Sequence, residues 1–389
     1  MKKLHILICS CHPVFSGSGG AERVFWNMAN HFASAGHEVL ALGFERKTDL
    51  QKPRHFSVDP RVHCENPGRA YTKSPFITLG SLLHHSKKRR DAYRDYHEGL
   101  RKSALLKPAV DSFKPDIAVC YQPETAYFFK ELLAVHFPVI TMLHADMETL
   151  LEGKERYFKA LEDCERVQVL LPSYLERLKS YVSKVRGIAI PNAVPPSGKT
   201  CDVNSRLIVN SGRVCPQKNQ LLLIRAFARV RKRHPDWQLK IWGDTAYDRG
   251  YYETCLNEIA KQGLGNSVQF CGISARVIDE LAKGSVFAFP SVFEGFPLAL
   301  TEAMSIKLPC AGLKKCPGVN DLIKDGSSGV LTDDSPEAFA DALCALIEDP
   351  QERAALGEQA REEMRRYTPE RVWKQWDDLV MQLTAGATA

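Results

Sequence analysis

The chain has 389 residues, of which 44% are hydrophobic and 25% charged, a balance that fits a globular protein of two or three domains and excludes disordered and fibrous classes. Its formal net charge of +6 is small for the length but uneven, gathering in "HHSKKRR" (84–90) and "RVRKRH" (229–234), so local patches carry more information than the total.

The opening "MKKLHILICSCHP" joins two lysines to an apolar run of about five residues, short of the about 7–15 of a secretory leader. No run reaches the roughly 18 apolar residues of a membrane span. The expected location is therefore cytoplasmic, with any membrane association peripheral, at the inner face. Short apolar runs bounded by turn residues follow: "LHILICS", "EVLALGF", "DIAVCYQ", "PVITMLH" and "RVQVLLPS". Segments of helical period separate most of them, as in "AERVFWNMANHFASAG", where Val24, Met28 and Phe32 share a face and Gly36 ends the helix. Strands alternating with helices imply a parallel sheet covered on both faces.

The pattern restarts after "IAIPNAVPPSGKTCDVNS" (188–205), whose Pro, Ser and Asn content marks an interdomain linker. "RLIVNSG", "QLKIWGD", "SVQFCG", "SVFAFPS", "LPCAG" and "SGVLT" form a second strand series, and "NQLLLIRAFARVRKRHP" is a clear helix among them. The last stretch, from "SPEAFADALCALIEDP" through "TPERVWKQWDDLVMQLTAG", is helical. The expected fold class is α/β, with two doubly wound Rossmann-like domains. Residues 1–190 form the first and 191–367 the second, with a terminal helix at about 368–389 packing back on the first. Two such sheets that face each other place the carboxyl ends of their strands, where ligands of open parallel sheets bind, around a common cleft.

The twelve cysteines are scattered and contain no CxxC pair, so they are read as reduced thiols. Cys9 with Cys11 and Cys310 with Cys316 lack the repeated spacing and histidine partners of a zinc site, and no metal is expected.

Candidate chemistry lies just after strands. In "FAFPSVFEGFPLALTEAM" (287–304), Glu294 follows a strand, Pro297 suits the first turn of a helix, and Glu302 falls in the second turn. The free N–H groups of a helix start between two acids suit a ligand with a phosphate in its middle and hydroxyl-bearing rings at its ends. Spacing alone equally allows two solvated acids near a helix N-terminus. Arg213 and Lys218 sit in a strand-to-helix loop and read either as fixed positive charge for a diphosphate or as a solvated basic loop. Gly19 and Gly20 precede a helix, where backbone amides can approach a phosphate, but Glu22 breaks the G-x-G-x-x-G dinucleotide fingerprint counted from Gly17. His144 follows the run "PVITML", at the carboxyl end of a strand, a place as suited to a structural histidine as to a ligand contact. Asn192 reads as a ligand contact or, in preference, as a brace of the linker, and Asp325 and Gly326 read as turn residues.

The ordered set of motifs resembles the retaining GT-B glycosyltransferases of family 4. "FEGFPLALTEAM" is similar to that family's E-x7-E motif, "GSGGAERV" (17–24) to its first glycine-rich turn, "SGRVCPQKNQ" (211–220) to its Gly-Arg-x4-Lys segment, and "TMLHADM" (141–147) to its histidine segment. "IPNAV" departs from the family's Pro-Asn-Gly-Val at Ala193, and "CPGVNDLIKDGSSGVL" (316–331) resembles its loop before Asp-Gly-x-x-Gly.

The resemblance implies a metal-independent retaining hexosyltransferase that uses a nucleotide-diphosphate sugar, a UDP-sugar, with no cofactor. Its acceptor would be a glycan or lipid-linked glycan of cell-surface polysaccharide or lipopolysaccharide synthesis. It assigns Glu294, His144, Arg213 and Lys218 to catalysis, and Gly19, Gly20, Arg213, Lys218, Glu294, Gly295, Phe296, Pro297, Leu298 and Glu302 to the donor. Within those sets His144 touches the transferred sugar, Glu294 its hydroxyls and Glu302 the ribose, while Arg213 and Lys218 hold the diphosphate. The acceptor falls to the first domain. There the basic, helix-compatible stretch 82–107 reads as a face for anionic membrane or phosphorylated glycan, or as a solvated helix face. No nucleic-acid module accompanies it. A sugar-nucleotide epimerase of the same fold and a catalytically silent sugar-nucleotide-binding scaffold are the alternative readings.

Overall fold

A computed structural model of the protein describes residues 2–17, 19–45, 56–71 and 74–385. The chain folds as two compact units: residues 1–190 with 373–389, and residues 191–372.

The first unit is built on a seven-stranded, fully parallel sheet. In chain order its strands are β1 (His5–Ser10), β2 (Glu38–Gly43), β3 (Val62–Glu65), β4 (Ile117–Tyr121), β5 (Val139–Leu143), β6 (Arg166–Val169) and β7 (Gly187–Ala189). They lie side by side as β3-β2-β1-β4-β5-β6-β7. β4 and β5 are buried at every residue, as strands covered by helices on both faces must be. Helix Gly20–Ser34 buries Val24, Met28 and Phe32 together, and Gly36 at φ 94° lets the chain turn back, with its N–H and that of His37 donating to Ala33 and Phe32. The chain returns beside β1 through the long helix Lys87–Phe113. In helix Pro369–Ala385, Trp373 stacks on His31 with ring centres 4.7 Å apart, and Asp377 Oδ1 lies 2.9 Å from His31 Nε2.

The second unit repeats the plan with six strands, β8 (Leu207–Ser211), β9 (Gln238–Trp242), β10 (Val268–Gly272), β11 (Val286–Phe289), β12 (Cys310–Leu313) and β13 (Val330–Thr332). Their order is β10-β9-β8-β11-β12-β13, again parallel throughout. The order reverses between β1 and β4 in the first sheet and between β8 and β11 in the second. At such a reversal two neighbouring loops leave in opposite directions, and a crevice opens outside the carboxyl ends of the strands. The "RVRKRH" patch ends helix Gln220–Arg233, where basic residues suit the carbonyl end of the helix, and its Arg229 and Arg233 pair with Glu337, Asp341 and Glu348.

Among the described residues, eleven of the thirteen strands coincide with apolar runs in the sequence. β3 and β7 do not. "VHCE" and "GIA" are too short and too polar or small to stand out, and both are edge strands, where one side of the ladder is unpaired and the demand for apolar residues is least.

Candidate functional site

In the second unit the loops following β8, β11 and β12 converge. Val292 N–H donates to the Gln217 carbonyl at 2.9 Å, and Gln217 Nε2 donates back to the Phe293 carbonyl at 2.9 Å. Glu294 N–H reaches the Pro317 carbonyl at 3.2 Å. Between the first two loops Lys218 Nζ sits 2.5 Å from Glu294 Oε1, with the two side chains only 14% and 8% exposed. The same ammonium lies 5.3 Å from the centre of the Phe289 ring. A lysine offers three donors, so one bond to Glu294 leaves two for another acceptor.

Arg213 stands in the same loop, just after Ser211 ends β8, with its guanidinium 4.5 Å from the centre of the half-exposed Tyr247 ring. Gly243, just after β9, is packed so tightly under this loop that a Cβ there would collide with the Gly212 carbonyl oxygen, and its φ of 144° already favours glycine.

After β11 the chain runs through Gly295, Phe296 and Pro297, all buried, into helix Leu298–Ser305. Pro297 takes the N-cap position with extended backbone, one residue before the first turn expected of it, and its own side chain offers no cap to the first N–H groups. A helix start a few residues after Glu294, the partner of Lys218, can take up an anion. The Phe296 ring packs edge-on against Tyr367 with centres 5.3 Å apart, so what Phe296 offers a ligand is its backbone. Leu298 is the first helical residue, and Glu302 is half-buried in the second turn. Asp325 and Gly326 form the expected turn: Asp325 Oδ1 accepts the Leu331 N–H at 2.8 Å, and Gly326 has φ 70°. Asn192 is buried.

In the first unit His144 directly follows β5, and its ring stacks on Tyr121, the last residue of β4, with centres 5.1 Å apart. Three buried polar atoms at these strand ends, His144 Nε2, the Tyr121 hydroxyl and Gln122 Oε1, have no hydrogen-bond partner among the described residues. Gln122 also holds a φ of 72°. Buried polar atoms are nearly always paired, so the group marks a place where a polar ligand or water fits. Desolvation pushes the His144 pKa down to about 3 and raises that of Tyr121, so the imidazole is neutral and the phenol protonated at neutral pH. His144 can exchange hydrogen bonds with a sugar hydroxyl, but it does not bring a positive charge.

Gly19 is the N-cap of helix Gly20–Ser34, and the Glu22 side chain folds over the turn so closely that a Cβ at Gly17 or Gly19 would meet its carboxylate end. An anion at this helix start has to displace Glu22. A cavity of about 570 Å³ lies nearby in the same unit, lined in part by Phe15, Ser16, Glu45, Asn66 and Arg69. Glu45 is fully buried, with Oε1 accepting the Phe15 and Ser16 N–H groups and Oε2 unpartnered among the described residues.

Several of these residues carry no motif. Gln217, which ties the β8 and β11 loops together, reads in sequence as one polar residue among others. Gly243 and Gln122 had a signal, since a glycine or polar residue directly after a buried strand marks a special backbone position. Among the described residues all twelve cysteines are free, and no three His, Cys, Asp or Glu side chains gather as a metal site.

Residues 18–197 match the model of Glycosyltransferase Family 4, and residues 198–363 match that of Glycosyl transferases group 1. A glycosyltransferase of Haemophilus influenzae is 25% identical over 98% of this chain and 100% of its own. The N-acetylgalactosamine-N,N'-diacetylbacillosaminyl-diphospho-undecaprenol 4-alpha-N-acetylgalactosaminyltransferase of Campylobacter jejuni is 26% identical over 93% of this chain and 94% of its own. In structure the chain is similar to Anabaena HepE, solved in complex with UDP and glucose, with a TM-score of 0.73 and 19% identity over 97% of this chain and 99% of that one. Two family models that together run from residue 18 to residue 363, on two Rossmann-like units each built on a parallel sheet, place the chain among the family-4-like glycosyltransferases of the GT-B fold.

Proposed function

We propose that the protein is a retaining hexosyltransferase that takes its sugar from a nucleotide diphosphate, a UDP-sugar, and passes it to a glycan or lipid-linked acceptor of cell-surface polysaccharide or lipopolysaccharide synthesis. The observation that carries the reading is the buried Lys218–Glu294 pair, whose Glu294 lies just ahead of the Pro297-led helix start at Leu298. Arg213 and Lys218 hold the charge that grows on the departing diphosphate, Lys218 from a position largely withdrawn from water and Arg213 from the exposed part of the loop. The N–H groups at the start of helix Leu298–Ser305 take up phosphate oxygens. Glu294 orients sugar hydroxyls, Glu302 the ribose, and neutral His144 a further sugar hydroxyl. Arg213, the two Lys218 donors that Glu294 leaves open and the helix start take up the diphosphate oxygens, and the transfer is read as metal-independent.

The relatives' names support the donor and acceptor classes: the Campylobacter enzyme is named for a diphospho-undecaprenol acceptor, and the Anabaena structure holds UDP. No helix among the described residues is long and apolar enough to cross a membrane. The enzyme would work at the cytoplasmic face, with the basic stretch 82–107 meeting anionic lipid. The test is thermal unfolding in EDTA with UDP, GDP and ADP in turn. A ligand at 100 times its Kd adds about 2.7 kcal/mol. A shift with UDP alone supports the donor and its independence of metal, and no shift with any of the three removes the diphosphate site.

A further inference from the structure

Between Glu65 and Asp91 the chain has no acidic residue, yet Arg69, Lys73, Lys87, Lys88, Arg89 and Arg90 fall there. Within this segment the short helix Pro75–Ser81 lies on the long helix Lys87–Phe113. Ile77 and Ser81 are buried, and Gly80 admits Tyr93 so closely that a Cβ at 80 would stand 2.7 Å from its hydroxyl. At 100° per residue Phe76 and Leu79 share the opposite side, and Leu82 and Leu83 follow in the turn that ends the helix. Phe76, Leu79, Leu82 and Leu83 are 80%, 66%, 68% and 82% exposed. Single exposed apolar residues are ordinary, but four large ones within eight positions form a patch.

We propose that this patch is a membrane-docking wedge whose partner is a bilayer rich in anionic lipid. The apolar side chains enter the acyl boundary while the basic start of the long helix meets the headgroups. Charge selects this partner. Lys87 and Arg89 are exposed and pair with no carboxylate among the described residues. Further along the same helix Arg94 pairs with Asp91 and Lys107 with Asp111, while the half-buried Arg101 and Lys102 lie over the Tyr71 and Phe44 rings. Uncompensated charge among the described residues of this helix start therefore adjoins the apolar face. A second copy of the chain docked symmetrically would set this cationic end against itself. The inference deepens the membrane reading by moving its contact from the body of 82–107 to residues 76–90, and its test uses no transfer activity, so the two readings fail separately.

The full chain is sedimented with vesicles of phosphatidylcholine and with vesicles in which about a third of the lipid is phosphatidylglycerol. The expected result is binding to the anionic vesicles about 10-fold or more above the neutral ones, weakened by salt. The variant Phe76→Ser/Leu79→Ser/Leu83→Ser should lose about 10-fold or more of that binding with unchanged thermal unfolding, because these side chains are already exposed. The variant Lys87→Glu/Arg89→Glu should lose the preference for anionic lipid. Equal binding to both vesicles, or full binding by the serine variant, overturns the proposal. So does a wild-type dimer that the serine variant converts to a monomer, since a second copy would then cover the patch.

Discussion

The buried pair of Lys218 and Glu294 makes a prediction in which single and double variants part ways in stability. Both side chains are withdrawn from water, and the two charges face each other across 2.5 Å. Lys218→Met takes the ammonium away from a buried carboxylate, and Glu294→Gln takes the carboxylate away from a buried ammonium. Breaking such a pair from one side costs about 3–5 kcal/mol. Replacing both removes two desolvated charges together, and for buried pairs that exchange is often near neutral. The double variant should therefore unfold within about 1–2 kcal/mol of wild type, giving a coupling of roughly 3 kcal/mol or more in a double-mutant cycle. Urea unfolding of the four proteins measures it. Activity should behave differently: at saturating donor the double variant stays as impaired as Lys218→Met, down about 10²–10³-fold, because restored stability does not return the charge proposed to face the diphosphate. Single variants that each cost under about 1 kcal/mol and simply add would refute the coupled, desolvated pair.

Arg213→Ala should lower turnover about 10²–10³-fold at saturating donor, and near-normal turnover would remove its role on the leaving group. Gly243→Ala forces the Gly212 carbonyl away and should weaken UDP binding by about 10-fold or more in calorimetry, through the backbone of the Arg213 loop alone. His144 gives a pH dependence. Its folded pKa near 3 lies below the unfolded value near 6.5, so the unfolded chain alone gains a proton as pH falls below 6.5. Stability contributed through this group is unchanged above 6.5 and falls by up to about 1.4 kcal/mol per pH unit down to about pH 3. Between pH 7 and pH 5 wild type should lose about 2 kcal/mol more than His144→Phe in urea titrations. Arg353, buried, donates to the Leu346, Ile347 and Val203 carbonyls at 2.6–2.8 Å, and Arg353→Leu should cost about 2–4 kcal/mol of unfolding free energy.

The fold is legible because parallel strands buried on both faces must be apolar nearly throughout. "LHILICS" or "SVFAFPS" has no solvent face to dilute the signal, whereas β3 and β7 sit at an edge and are diluted. The restart of the strand series at 206 is likewise written in hydrophobicity alone. Exposed apolar residues are not legible in the same way: Phe76, Leu79 and Leu83 show the helical spacing of a buried face, and only the packing of Ile77 and Gly80 against the long helix shows that the other side turns inward.

The site is legible only as far as its charges. Arg213, Lys218, Glu294 and Glu302 stand out because charged residues after buried strands need a reason. What joins them does not. The bonds that fix the β8 loop to the β11 loop run between Gln217 and the backbone of Val292 and Phe293, and backbone partners leave no trace in residue identity. The same holds for His144, where sequence gives the position but not the stacked Tyr121 that helps to keep the imidazole dry and neutral. The two cases share a cause. A motif records which side chains meet the ligand, while the spacing and protonation of those side chains are set by neighbours that meet only the motif, and such neighbours are recovered from the folded chain.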